Sequence, residues 1–343
     1  MNELEFYMDK ALCLARKGLG TTSPNPMVGA VIVKDGTILG EGWHIRAGEG
    51  HAEVNAFADA AKKGNDVNGA AIFVTLEPCS TKGRTPACTD AILASGIKKV
   101  VIGCLDPNPK HAGRAVKILE DAGIEVISGI LEKECLQINE AFFHWITTGK
   151  PFVLLKIAQT LDGKIACYNG VSQWITGKEA RSRVMELRMW ADCVITGGQT
   201  FRTDHPRFTV RDESGNILKT PRRIVVTNDV ENMKKSCPEG ENWEFTALKN
   251  PEEWEKFLLD LGKENVTSIL LECGGKLAAS ALEAKAVNKA EFHIAPKILG
   301  GEKSILSIAG ASPDSLEGAW QLEEVTYTQY GKDLAFSGLV KYK

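Results

Sequence analysis

Residues 70–104 read AAIFVTLEPCSTKGRTPACTDAILASGIKKVVIGC, and their pattern decides the fold. The apolar run at 70–76 has the length of a buried strand. Residues 89–94 with Gly96 behind them fit a helix and its left-handed cap, and 100–104 is a second buried strand. Strand, helix, strand is the repeating unit of a mostly parallel sheet covered by helices. Upstream, apolar stretches at 28–33 and 37–44 flank Asp35-Gly36, a dipeptide suited to a type I′ turn, so a hairpin is expected. A helix over 51–63 follows, with Val54, Phe57, Ala58 and Ala61 at helical spacing and Gly64 at its end. Downstream come a helix at 112–122, a strand at 124–127 and one long helix marked by Leu131, Cys135, Ile138, Phe142 and Ile146.

Gly149-Lys150-Pro151 breaks that pattern, dividing the chain into a first domain at 1–148 and a second at 149–343. The alternation then restarts with a strand at 152–157, a helix at 179–189 and strands at 193–196, 223–227 and 268–272. Two α/β domains suit a length of 343 residues. Apolar residues at 43% and charged residues at 25% exclude a disordered or fibrous chain. The first 18 residues have amphipathic helical spacing rather than the pattern of a signal peptide, and no apolar run approaches the roughly 18–20 residues that span a bilayer. A cytoplasmic location with no membrane partner is therefore expected. Nine scattered cysteines fit reduced thiols, and a net charge of −3 speaks against a nucleic-acid partner.

His51-Ala52-Glu53 opens a helix, Cys79 follows a strand, and Cys88 enters the next helix. One imidazole and two thiolates suit zinc, and three protein ligands leave the fourth tetrahedral position to water. Hydrolytic removal of an amino group needs hydroxide near neutral pH, and binding to zinc lowers the pKa of water from about 15.7 to about 7. Glu53, two residues from His51, is placed to move protons without ligating the metal. A closed structural site would need a fourth ligand, for which His44 and Cys104 are the candidates. The eight-residue gap between the cysteines departs from the two-residue gap of the general zinc deaminase pattern.

The stretches TSPNPMVGAVIV (22–33), HAE (51–53) and TLEPCSTKGRTPAC (75–88) resemble the bifunctional deaminase-reductase family of riboflavin biosynthesis, and the similarity runs through almost the whole chain. The longer cysteine gap belongs to that family. The resemblance implies a cytidine-deaminase-like α/β/α first domain with one zinc ion held by His51, Cys79 and Cys88. It makes Glu53 the proton shuttle, puts Asn25 and His44 in the pyrimidine pocket and brings Arg84 near the ribose phosphate. The bland alternatives are a turn-former for Asn25, a packed ring for His44 and a solvated charge for Arg84. The family usually has a histidine where this chain has Thr81. That departure invites a rival reading, a monofunctional reductase whose first domain keeps zinc only for folding. Glu53 beside an open metal position argues against it, and equally against an inactive zinc-stabilised scaffold. A nucleic-acid base deaminase would need a basic strand-binding face.

The second half has no G-x-G-x-x-G fingerprint, which disfavours a Rossmann dehydrogenase. Gly197-Gly198 and Gly274-Gly275 remain as strand-to-helix turns able to cradle phosphate. The stretches AQTLDGKIA (158–166), SQWITG (172–177), TDHPRFTVR (203–211) and APKILGG (295–301) resemble the family's reductase domain, of dihydrofolate-reductase-like α/β fold. The resemblance puts NADPH at Ala158, Trp174, Thr200, Asp204, Asn228 and the turn of Gly274, Gly275, Lys276, Leu277, Ala278, Ala279 and Ser280. It brings substrate to Ser172, Arg188, Phe208, Arg211 and Glu272. Lys156 is a further cationic candidate for a phosphorylated sugar. Trp174 as plain core, Arg188 as a solvated helix face and Asp204 as a turn residue are the structural alternatives. The implied reactions are deamination of a phosphoribosylated diaminopyrimidine and then hydride transfer from NADPH to its opened ribose. Small-molecule substrates and a homo-oligomer, dimer or tetramer, are the expected partners.

Overall fold

The computed structural model describes residues 1–81, 87–108, 112–212 and 214–343. The chain forms two compact units, Met1–Gly149 and Lys150–Lys343. All nine cysteines are unbridged. Among the described residues no helix is long and apolar enough to cross a membrane.

The first unit holds β1 (Gly29–Lys34), β2 (Thr37–Trp43), β3 (Ala71–Leu76), β4 (Lys99–Cys104) and β5 (Glu125–Ser128). They form one sheet in the order β2-β1-β3-β4-β5. β1 runs antiparallel to β2 and β3, and β3, β4 and β5 run parallel. Asp35 and Gly36 both take positive φ, +48° and +75°, as the expected type I′ turn requires.

Among the described residues six α-helices cover the sheet: α1 (Glu3–Ala15), α2 (Ala52–Lys62), α3 (Cys88–Ser95), α4 (Arg114–Asp121), α5 (Glu132–Ile138) and α6 (Glu140–Thr148). Strand residues alternate between two cores. Ala30, Ile32, Ile72, Val74, Val100 and Ile102 pack with Ala56, Ile92 and Leu119, while Val31, Val33, Phe73 and Val101 pack with Met8, Leu12 and Cys135. Both faces are apolar, which is why the strands read as continuous runs.

The one long helix expected over 131–146 is two. Asn139 breaks it with φ −117° and ψ 17°, because its carboxamide bonds outside the helix, to the backbone of Met27.

The second unit contains β6 (Phe152–Thr160), β7 (Lys164–Ala166), β8 (Cys193–Gly197), β9 (Val210–Arg211), β10 (Ile217–Lys219) and β11 (Arg222–Val226). It continues with β12 (Glu244–Thr246), β13 (Ser268–Glu272), β14 (Lys289–Ala295), β15 (Ile305–Leu306), β16 (Gln321–Tyr330) and β17 (Asp333–Lys341). Its main sheet has the order β12-β11-β8-β13-β6-β14-β17-β16. The six strands from β12 to β14 are parallel, and β17 and β16 add an antiparallel edge. The helices are α7 (Lys178–Trp190), α8 (Gly198–Asp204), α9 (Val230–Lys235), α10 (Pro251–Lys263) and α11 (Gly275–Glu283). Val153, Leu155 and Ile157 face α10 and α11 through Trp254, Leu258 and Leu282, and Leu154, Val194 and Leu270 face α7 and α8 through Leu187 and Phe201.

Helix α2 lies unusually close to β2. A Cβ on Gly42 would sit 2.3 Å from the Ala56 nitrogen and 2.4 Å from the Ala52 oxygen, and one on Gly40 would sit 2.3 Å from the Ala56 oxygen. Helix backbone cannot yield as a side chain can, so Gly42→Ala is expected to push α2 off the sheet and cost about 1–3 kcal/mol. Chemical denaturation checks this; an unchanged midpoint would show that the glycine contact does not fix the helix.

Candidate functional site

His51, Cys79 and Cys88 come from three places that the fold brings to one end of the first sheet. His51 caps α2, Cys79 lies three residues beyond the end of β3, and Cys88 is the first residue of α3. Their ligand atoms all lie within 4.8 Å of one another, and among the described residues this is the one group of its kind. His51 Nδ1 is 3.2 Å from Cys88 Sγ and 3.5 Å from Cys79 Sγ. Bond lengths of about 2.3 Å to sulfur and 2.1 Å to nitrogen at a tetrahedral centre give an edge of roughly 3.6 Å, so the donor set fits zinc. The Cys88 amide donates to Cys79 Sγ at 3.2 Å, aiming the start of α3 at that sulfur. The hydrogen bond with Cys88 and the neighbouring His51 hold the Cys79 thiol far below its ordinary value, at about 4. The same hydrogen bond, with burial, drives Cys88 up.

His44 is buried, and its Nδ1 lies 3.1 Å from the Gly50 oxygen. A carbonyl only accepts, so Nδ1 carries the hydrogen and Nε2 accepts from Asn25 Nδ2 at 3.0 Å. Burial lowers the His44 pKa, which favours this neutral form. Asn25 is both a turn residue, its amide donating to the Thr22 oxygen, and a partner of His44. Glu53 is buried beside the Cys88 thiol, and burial pushes its carboxyl up. His44 and Cys104, the candidates for a fourth ligand, are engaged elsewhere, since Cys104 Sγ donates to the Thr75 oxygen in the core. Thr81 is exposed, and Arg84 lies outside the described residues.

In the second unit Glu272, Lys156 and Glu291 stand side by side on β13, β6 and β14. Helix α7 crosses this row. Arg188 Nε and Nη2 donate to the Glu272 carboxylate at 2.6 and 2.9 Å, and Arg183 donates to Glu291 at 3.3 Å twice. Burial alone would raise the Glu272 carboxyl, and the Arg188 charge overrides it and holds it low. Burial lowers Lys156, opposed by Glu272. Arg188 also lies 5.0 Å over the ring of Phe208, a buried residue at φ +52°. A positive φ in a bulky residue is backbone strain, which clusters at functional sites.

These geometries can be set beside known proteins. Residues 1–104 match the cytidine and deoxycytidylate deaminase zinc-binding region, and residues 151–336 match the RibD C-terminal domain. The chain is 38% identical to riboflavin biosynthesis protein RibD of Actinobacillus pleuropneumoniae, over 99% of this chain and 96% of that protein. The chain belongs to the RibD family. It is 40% identical to the Escherichia coli member over 87% of this chain and 89% of that one. A solved deaminase/reductase of the family from Thermotoga maritima superposes with a TM-score of 0.86 at 35% identity, covering 98% of this chain and 99% of that one. The chain is thus a bifunctional riboflavin biosynthesis protein, a cytidine-deaminase-like domain followed by a dihydrofolate-reductase-like RibD C-terminal domain.

Within that RibD framework, Arg188 is no solvated helix face and Trp174 no core residue: Trp174 is 63% exposed, with Arg181 4.5 Å over its ring. Asp204, Arg211 and Asn228 are also exposed, and Ala158, Ser172 and Thr200 are half-buried. Arg211 donates to the Gly215 oxygen at 2.8 Å. Gly274 caps α11 and the helix starts at Gly275. Leu277 is half-buried and Lys276 exposed, whereas Ala278 and Ala279 are core residues and Ser280 accepts from Trp254 Nε1 at 3.2 Å.

Three residues to which the sequence assigns no role fix parts of the structure. Glu77 is buried and accepts from the amides of Asp106, Gly113 and Ala115, which fixes the strand end leading to Cys79. Lys297 donates to the Trp174 and Ile175 oxygens at 2.8 and 2.7 Å. Glu291, between Arg183 and His293, belongs to no motif at all.

Burial would raise the Glu291 carboxyl, but the hydrogen bond from His293 at 2.8 Å and the Arg183 charge outweigh it and bring it to about 2. A folded-state value below the ordinary one means stability present above about pH 4.5 and lost as pH falls toward 2. Glu291→Gln is expected to remove on the order of 3 kcal/mol near neutral pH and to flatten the acid limb of the stability curve. Urea denaturation between pH 2 and 7 measures it, and parallel curves for both proteins would refute the assignment.

Proposed function

We propose that the first domain hydrolytically deaminates 2,5-diamino-6-(5-phosphoribosylamino)pyrimidin-4-one, and that the second reduces the ribosyl chain of the resulting 5-amino-6-(5-phosphoribosylamino)uracil to ribityl with NADPH. The observation that carries the first half is the set of three ligand atoms within 4.8 Å, with no fourth among the described residues. His51, Cys79 and Cys88 hold zinc, which supplies a water molecule ionised near neutral pH. Glu53 would carry one water proton to the ring nitrogen and the second, from the hydroxyl added to the ring carbon, to the leaving amine, so water and amine become carbonyl and ammonia. His44 orients Asn25, whose Oδ1 stays available to accept from the pyrimidine edge. Arg84 would meet the phosphate.

In the second domain we assign substrate to Lys156, Ser172, Arg188, Phe208, Arg211 and Glu272, where the Arg188–Glu272 pair fixes two of the polar groups. NADPH would lie along Ala158, Trp174, Thr200, Asp204, Asn228 and the turn opening at Gly274. The cofactor supplies the hydride, and these residues position the two reactants. Lys156 has carboxylates on both flanking strands, which oppose the burial that lowers its pKa, and its amine is placed to hold an anionic or carbonyl group of the substrate.

Purified zinc-loaded protein given the diaminopyrimidine phosphate should release ammonia first and then oxidise NADPH. Glu53→Gln is expected to cut ammonia release about 10²–10⁴-fold. It should keep its zinc and still oxidise NADPH when the uracil intermediate is supplied directly. Wild-type protein that retains zinc, oxidises NADPH on the intermediate and yields no ammonia would leave only the reductase.

A further inference from the structure

Asn139 stands between α5 and α6, a position where Asn ordinarily caps the following helix, yet its side chain makes no capping bond. The carboxamide instead reaches a segment 112 residues away. Its Oδ1 accepts from the Met27 amide at 2.8 Å, and its Nδ2 donates to the Met27 oxygen at 2.8 Å. Only this orientation of the amide works, since the flipped one opposes donor to donor and acceptor to acceptor. Asn139 is 3% exposed, so water does not compete for either bond.

Met27 lies one proline away from Asn25, in the run Pro24-Asn25-Pro26-Met27. Pro26 fixes its own φ and confines Asn25 to extended backbone, which makes the link from Met27 to Asn25 stiff. On the other side, the Val28 oxygen accepts from the His44 amide at 2.9 Å just before β1 begins. Asn25 Nδ2 must meet His44 Nε2 from the end of this short rod. The Asn25 amide is held on one side by the Thr22 oxygen, and the clamp on both backbone groups of Met27 fixes the rod on the other side.

We propose that Asn139 is a positioning residue for deamination, gripping the Met27 backbone so that Asn25 meets His44 and the pyrimidine pocket keeps its shape. The inference rests on the reading that Asn25 contacts the pyrimidine. Asn139→Ala, Asn139→Asp, Asn25→Ala and the double variant Asn25→Ala/Asn139→Ala, all as full-length zinc-loaded protein, test it. Asn139→Asp keeps shape and acceptor but sets an oxygen against the Met27 carbonyl.

Both Asn139 variants are expected to raise the deaminase KM about tenfold, which corresponds to about 1.4 kcal/mol, with one zinc per chain and reductase kinetics unchanged. In the Asn25→Ala background the Asn139→Ala increment should vanish, because the residue it positions is gone. An unchanged KM in both Asn139 variants, alongside a raised one in Asn25→Ala, overturns the inference alone. It is overturned equally if the increment persists in full in the double variant, or if both variants lose zinc in step with activity. An Asn25→Ala protein with wild-type KM overturns the reading of Asn25 and the inference together.

Discussion

Three donor atoms from separate elements, His51 Nδ1, Cys79 Sγ and Cys88 Sγ, lie within 4.8 Å, and the layers of the first unit are arranged to keep them so. His51 is held by α2, which reaches its place only because Gly40 and Gly42 let its backbone press onto β2. Cys79 depends on the end of β3, which Glu77 ties to the segment around Asp106 and Ala115. Cys88 depends on α3, whose first amide points at Cys79. None of these fixings uses the metal. The protein thus bears the ordering cost of the site during folding, and a cation entering it meets ligands already oriented.

The second unit solves a different problem, burying charge within a sheet. Glu272 and Glu291 flank Lys156 on the sheet, and α7 brings Arg188 and Arg183 down on the two carboxylates. A buried carboxylate without a partner costs several kcal/mol, so each is matched by a guanidinium with two hydrogen bonds. Lys156 is left as the one group of the row without such a pair. Its charge balance therefore comes from neighbours across the sheet.

Much of this was legible in the sequence, for identifiable reasons. Asp35-Gly36 announced its turn because few dipeptides accept two positive φ values, and residues 70–76 and 100–104 announced buried strands because both their faces are apolar. The metal ligands stood out by residue type, although their spacing needed a family pattern to be read. What stayed hidden depends on long-range partners. Asn139 sits inside an apolar periodicity that runs on unbroken in sequence, and only the Met27 backbone opposite it explains the break. β14, β16 and β17 passed unseen beyond Glu272, since β16 is a mostly exposed edge strand and β14 carries Glu291 and His293 among its core residues. Arg188 is set apart from a solvated helix position only by Glu272, 84 residues away in the chain.

Packing and ligand binding can demand a glycine at the same kind of turn, and the two glycine pairs of the second unit separate these causes. In sequence, Gly197-Gly198 and Gly274-Gly275 look like phosphate cradles, yet at two of these positions the absence of a side chain already has a sufficient cause. A Cβ on Gly275 would sit 2.4 Å from the Leu306 oxygen, and one on Gly198 would sit 2.9 Å from Thr227 Oγ1. Gly197 and Gly274 have no such clash, the nearest atoms being 3.7 and 3.9 Å away. The packed glycines therefore say nothing about a cofactor. Gly197 and Gly274 are the pair that bears on one, because they cap their helices at the carboxyl ends of β8 and β13 with room above them.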